Sequence, residues 1–266
     1  RFEARKRSCR LLSRSLLVGV KMAQQQALPM FAFSIADEVL TVTPQDTAVI
    51  LDAAFSTGLG HDDYTPLLTR AFAKVLGNPL ASSVSKPQFD AAMRELLPEV
   101  AGWSDDRKEQ MSYFLSHAFY ALDREGLESV PTDELLVTMS YLCGGSKTAK
   151  LAFAFSLFDA ADKEAIEQAE LARLLSALLT GLFAFCSPSN EALGEATTDN
   201  AVHQCAVRTA LDIFSDLGVD DESPLSFDQF GAWYNQFGFE TIQWLELLDL
   251  RKWPAAAAYI QEGVAG

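Results

Sequence analysis

The chain has 266 residues, 49% of them hydrophobic, and a formal net charge of −15. That is ample apolar material for one large domain or two small ones, while the acidity argues against a nucleic-acid binder, since phosphates demand a basic footprint. Cys9, Cys143, Cys186 and Cys205 are scattered without metal or disulfide spacing, so free thiols are expected, and no apolar run approaches the ~18 residues of a membrane span.

The charge is uneven. Residues 1–22 carry seven Lys/Arg and one acid, which leaves −21 on the rest of the chain. Three readings stand side by side: sequence ahead of a true start at Met22, a mitochondrial-type presequence over 1–21, or a basic amphipathic arm for a membrane surface or an acidic partner. The stretch LLVGV is too short for a secretory segment. A cytoplasmic location is expected, with a mitochondrial one as the alternative if 1–21 is a presequence; flagellar or cytoskeletal association is compatible with both.

Residues 23–46, punctuated by Pro29 and Pro44, read as an ordered lead-in. A helix is expected from about Thr47, with Val49, Ile50, Ala53 and Ala54 on one face. GLGHDD at 58–63 breaks it, and a second helix over 65–76 turns Leu67, Leu68, Phe72 and Val75 inward. In GNPLASSVSKPQF, residues 77–89, Val84 is the eighth position of a twelve-residue loop and Gln88 the twelfth; no carboxylate lies within it. A linker over 98–106 leads to Ser104, a good N-cap followed by Asp105 and Asp106 in the first turn. The helix beyond carries Met111, Phe114, Leu115, Ala118, Phe119 and Leu122 at steps of three and four.

That helix enters the most informative stretch, 119–182. Asp123 opens a twelve-residue loop with Val130 eighth and Glu134 last; Asp159, Ile166 and Glu170 repeat the offsets 36 residues on. Between the loops, Gly144 and Gly145 read as a helix stop and hinge; GGSKT there lacks the G-x-x-x-x-G-K-[ST] spacing of a phosphate loop. After Glu170, Leu171, Leu174, Leu175, Leu178, Leu179 and Leu182 form a stripe wider than one partner helix requires. Residues 186–200 read as an exposed insertion. A helix over about 199–217 then offers Val202, Cys205, Ala206, Ala210, Leu211 and Phe214. A fourth loop, 218–229, has Gly218 first, Asp220 and Glu222 third and fifth, Leu225 eighth and Gln229 twelfth. Its exit helix should end at Gly238. Ile242, Trp244, Leu245, Leu247, Leu248, Leu250 and Trp253 then crowd a helix ending at Pro254, too apolar to stand in water alone. The Ala-rich end leaves open that the chain is a module of something longer.

Four loops with an aliphatic eighth position, each between helices, resemble the EF-hand superfamily, in particular the calcineurin-B, neuronal-calcium-sensor and calaxin group, over about 65–237. The resemblance implies an all-α fold of two lobes, 47–143 and 147–237, with a docking helix and tail at 238–266. Val84 would face Val130, and Ile166 would face Leu225, in short ribbons. It also supplies a ligand rule: oxygens at positions 1, 3, 5, 7, 9 and 12, with Gly at 6. The loop 123–134 keeps Asp123, Glu125 and Glu134 but has Leu127 fifth and Glu128 sixth. The loop 159–170 keeps Asp159 and Glu170, frame residues only, with Ala161, Lys163 and Glu164 between them. The expectation is a regulatory or adaptor protein with no cofactor, calcium binding weak or lost. Its partner would be an amphipathic helix of another protein, or the chain's own segment 240–253. The alternative is a functional Ca²⁺ sensor working through 123–134. No enzyme is expected, because His61, His117 and His203 sit in no triad.

Overall fold

The structure, a computed structural model, describes residues 31–35, 38–63, 65–77, 82–159, 162–186, 195–220 and 223–253. The basic segment 1–22, Cys9, Ala161, Glu222 and the end beyond Trp253 lie outside them. The described chain is mostly helical, with three two-stranded antiparallel sheets among those residues. A hairpin of β1 (Phe31–Ile35) and β2 (Glu38–Val42) precedes α1 (Pro44–Ser56) and α2 (Thr65–Leu76). β3 (Ser83–Ser85) leads into α3 (Lys86–Leu96), and α4 (Asp105–Leu122) is followed by β4 (Ser129–Pro131) and α5 (Thr132–Met139). The second half holds α6 (Lys147–Phe158), β5 (Ala165–Ile166), α7 (Gln168–Phe185), α8 (Glu195–Leu217), β6 (Leu225–Ser226) and α9 (Phe227–Trp233).

Val84 pairs with Val130, and Ile166 with Leu225, each in a short antiparallel ribbon as the resemblance implies. All four side chains are fully buried. Each ribbon thus satisfies backbone groups between two loops and plants two aliphatic side chains in the core beneath them.

The core is organised on α7. Leu171, Leu174, Leu175, Leu178, Leu179 and Leu182 are at most 1% exposed. The helix is buried almost all round because α8 packs on one side while α4 and α5, from the preceding half, pack on another. The wide leucine stripe is therefore shared between both halves of the molecule. By length and composition α7 could cross a membrane, contrary to the expectation that no run comes close, but here its apolar surface is the centre of the fold.

Several expectations need correction. α1 begins at Pro44 rather than Thr47: the Thr43 hydroxyl accepts from Asp46 N–H, the Asp46 carboxylate accepts from Thr43 N–H, and proline follows the cap. This T-P-x-D capping box was legible in the sequence. Val49, Leu67 and Leu211 face solvent, since each lies off the stripe set by its buried neighbours Ile50, Leu68 and Ala210. Residues 195–200 are helical, extending α8 into what reads as insertion. Gly144 is a point of close approach rather than a hinge: its N–H donates to Leu59 O at 2.7 Å, and a Cβ would collide with the backbone of Gly60 and Asp62.

Gly238 does not stop the exit helix either. α9 passes through a π turn at Tyr234–Gly238 into a last turn at Phe239–Thr241. Glycine is required there because a Cβ would run into the Trp233 ring. Gly238→Ala is expected to cost about 2 kcal/mol through this overpacking, measured as a lower urea midpoint with unchanged slope.

The apolar segment after Ile242 is not an α-helix. It forms two 3₁₀ pieces, Gln243–Leu248 and Leu250–Lys252. Its apolar residues explain this. Ile242, Leu245 and Leu248 form one row three residues apart; Trp244, Leu247, Leu250 and Trp253 form another, and rows of period three suit a 3₁₀ turn. None of the seven is more than 4% exposed. This strap packs on α6 and on the 3₁₀ turn Ser140–Leu142 that joins the two halves.

Candidate functional site: four loops and a strapped junction

The two central loops share one backbone. Asp123 Oδ1 and Oδ2 accept from Leu127 N–H and Glu128 N–H, both at 2.9 Å. Asp159 accepts from Lys163 N–H and Glu164 N–H in the same way. The sixth positions, Glu128 and Glu164, lie at φ +55° and +56°, the left-handed region where glycine is expected and where a larger side chain is strained. Both loops thus hold this conformation without a glycine at the sixth position. The opening aspartate holds it by turning its carboxylate to the loop's own amides.

The twelfth positions of three loops cap helices. Gln88, Glu170 and Gln229 each accept from the N–H of the ninth residue, Ser85, Glu167 and Ser226, closing a capping box at the start of an exit helix. A carboxamide serves there as well as a carboxylate, which is why glutamine is tolerated. The second loop differs because its ninth residue is Pro131, which has no N–H to offer. Its twelfth residue, Glu134, is free of capping duty. Its side chain is 7% exposed, with Oε2 3.1 Å from Arg124 and Oε1 3.6 Å from Arg173. Glu125 is exposed in the same loop.

Of the residues expected to ligate calcium, Asp123 and Glu134 belong to one loop but face different partners, and Asp159 and Glu170 are engaged by backbone amides. Among the described residues, no group of three or more His, Cys, Asp or Glu is arranged to hold a metal ion. Asp123 and Asp159 direct their oxygens to the loop amides, and Glu134 faces two guanidinium groups. Sequence reading missed Arg124 and Arg173; Pro131 at the ninth position was the signal that could have raised the question.

The strapped junction is a second concentration of charge. Glu246 of the strap forms ion pairs with Lys147 and Lys252, and the Tyr234 hydroxyl donates to it at 2.6 Å. Burial opposes ionisation, yet the hydrogen bonds from Lys147, Lys252 and Tyr234 pull this carboxyl down to about 2. Lys147 also lies over the Tyr234 ring, 3.8 Å from its centroid. Lys150 is 1% exposed and donates to Leu248 O at 2.6 Å. Burial lowers its ammonium to about 8, against the pull of Asp249 and Asp63. The Cys143 thiol is raised by burial to about 12 and is inert near neutral pH.

Beside the strap, a shallow cavity of about 330 Å³ is lined by Lys147, Leu151, Phe227, Phe230 and Tyr234 among others. The ring of Phe239, half exposed like Phe237, stands against Tyr234.

Helix–loop–helix units joined in pairs by ribbons at the eighth position define an EF-hand-like protein. No protein-family profile matches the chain. A recoverin family protein of Dictyostelium discoideum is 28% identical over 120 residues, 45% of this chain and 53% of that protein. The match thus spans about half the length of that curated relative, and it supports a relationship to the EF-hand superfamily.

Proposed function

We propose that this chain is an EF-hand-like regulatory or adaptor protein that grips an amphipathic helix of a protein partner, with calcium binding weak or lost. The observation that carries the reading is the fate of the four twelfth positions: three cap helices, and the fourth is neutralised by arginines, while both ribbons survive. The fold is kept and the ion chemistry is not. The strap covers apolar surface at the junction, leaving the cavity beside α6 and α9, with the Phe239 ring against Tyr234 of its lining and Phe237 exposed two residues earlier, as the landing site for a partner helix. The acidity of the chain suits a basic helix. A non-catalytic role follows from the same reading.

A second reading, a calcium sensor working through 123–134, is favoured by the name of the Dictyostelium relative and by the preserved loop backbone. Titration of the wild type with a fluorescent Leu/Lys amphipathic helix separates them. Equal affinity in EDTA and in millimolar Ca²⁺, weakened about tenfold by Phe237→Ser with Phe239→Ser, supports the adaptor. Binding that requires calcium, with calorimetric heat abolished by Glu134→Gln, supports the sensor and removes the adaptor.

A further inference from the structure

The environment of Glu134 carries an inference about how the second loop is held. Its carboxylate is almost fully buried and cannot cap its helix, because Pro131 lacks the N–H. A buried carboxylate in that position is unstable without a positive partner. Two are present. Arg124, the second residue of the same loop, approaches one oxygen, and its other nitrogen donates to the Thr180 hydroxyl on α7 at 3.4 Å. Arg173, also on α7, approaches the other oxygen, pairs with Asp133 at 2.6 Å, and lies 5.0 Å from the ring centroid of Phe158, the last residue of α6. The two guanidinium groups bring fixed positive charge to both oxygens of the carboxylate that would otherwise close a cation site.

We propose that Arg124 and Arg173 act as a built-in substitute for the divalent cation: they neutralise Glu134, fix its direction, and join the second helix–loop–helix unit permanently to the third through α7. The loop is then a constitutive clamp between the two halves, independent of any ion. This deepens the calcium-independent part of the function proposed above, but its test involves no partner.

The test is a cycle of thermal unfolding on the full chain. Arg124→Gln with Arg173→Gln orphans the Glu134 charge, and the melting temperature should fall by about 5 °C. Adding Glu134→Gln removes the orphaned charge and should recover at least half of that loss, and wild-type melting should be the same in EDTA and in millimolar Ca²⁺. If the double variant does not fold, Arg124→Gln with and without Glu134→Gln closes the same cycle. Strictly additive losses, no loss on removing the arginines, or a wild-type melting temperature that rises with calcium and stops doing so in Glu134→Gln would each overturn the proposal. Calcium binding at another loop would overturn the calcium-independent reading and leave this coupling intact.

Discussion

Leu248→Ala is expected to lower the unfolding free energy by about 3 kcal/mol, although the residue lies in a 3₁₀ turn near the end of the described chain. Leu248 is fully buried, and the strap that carries it packs on α6 and on the Ser140–Leu142 turn. Truncation there removes apolar contact with the joint between both halves. Little collapse is available to fill the gap, because the strap is held at several other points. The Trp253 indole donates to Leu247 O at 2.9 Å, Lys150 donates to Leu248 O, and Glu246 is bound by Lys147, Lys252 and Tyr234. Urea unfolding followed by circular dichroism checks this. The midpoint should fall with the slope unchanged, as for a core residue of one cooperative unit. A loss under about 1 kcal/mol would mean that the strap is an appendage and the junction is stable without it.

The contrast between strap and ribbons shows what the sequence makes legible. Val84, Val130, Ile166 and Leu225 were readable because the EF-hand resemblance assigns the eighth loop position both burial and pairing. The leucine stripe of α7 announced by its width that more than one neighbour would cover it, and α4, α5 and α8 do. The strap's burial was readable from its composition, but its helix type was not read from the three-residue rows of Ile242–Leu245–Leu248 and Trp244–Leu247–Leu250–Trp253. The arginine clamp was hidden for a different reason. Carboxylates at ligand spacing look like ligands until their partners are known, and Arg173 reaches Glu134 from another helix. Only Pro131, by denying Glu134 its capping partner, marked this loop as unlike the other three.

The pH dependence of stability should carry the signature of Lys150. In the folded protein burial holds its ammonium near 8, against 10.5 for a free lysine. Between those values the unfolded chain binds more protons at this site than the folded one, so its contribution to stability rises with pH across that window. The charged form is penalised at neutral pH, and the penalty disappears as the folded amine gives up its proton. A separation of this size amounts to roughly 3 kcal/mol when the window is fully crossed. The groups facing the amine leave the sign intact. Cys143 stays a thiol across most of the window, Asp63 and Asp249 favour the charged form, and Arg251 opposes it. The neutral amine still donates to Leu248 O, so the strap keeps its anchor as the charge is lost. In Lys150→Met the anchor and the titration vanish together. The stability of the wild type minus that of the variant should therefore grow by about 3 kcal/mol between pH 7 and pH 11, read from urea midpoints. A difference that stays flat over that range would mean that water reaches this amine and that the junction is open in solution.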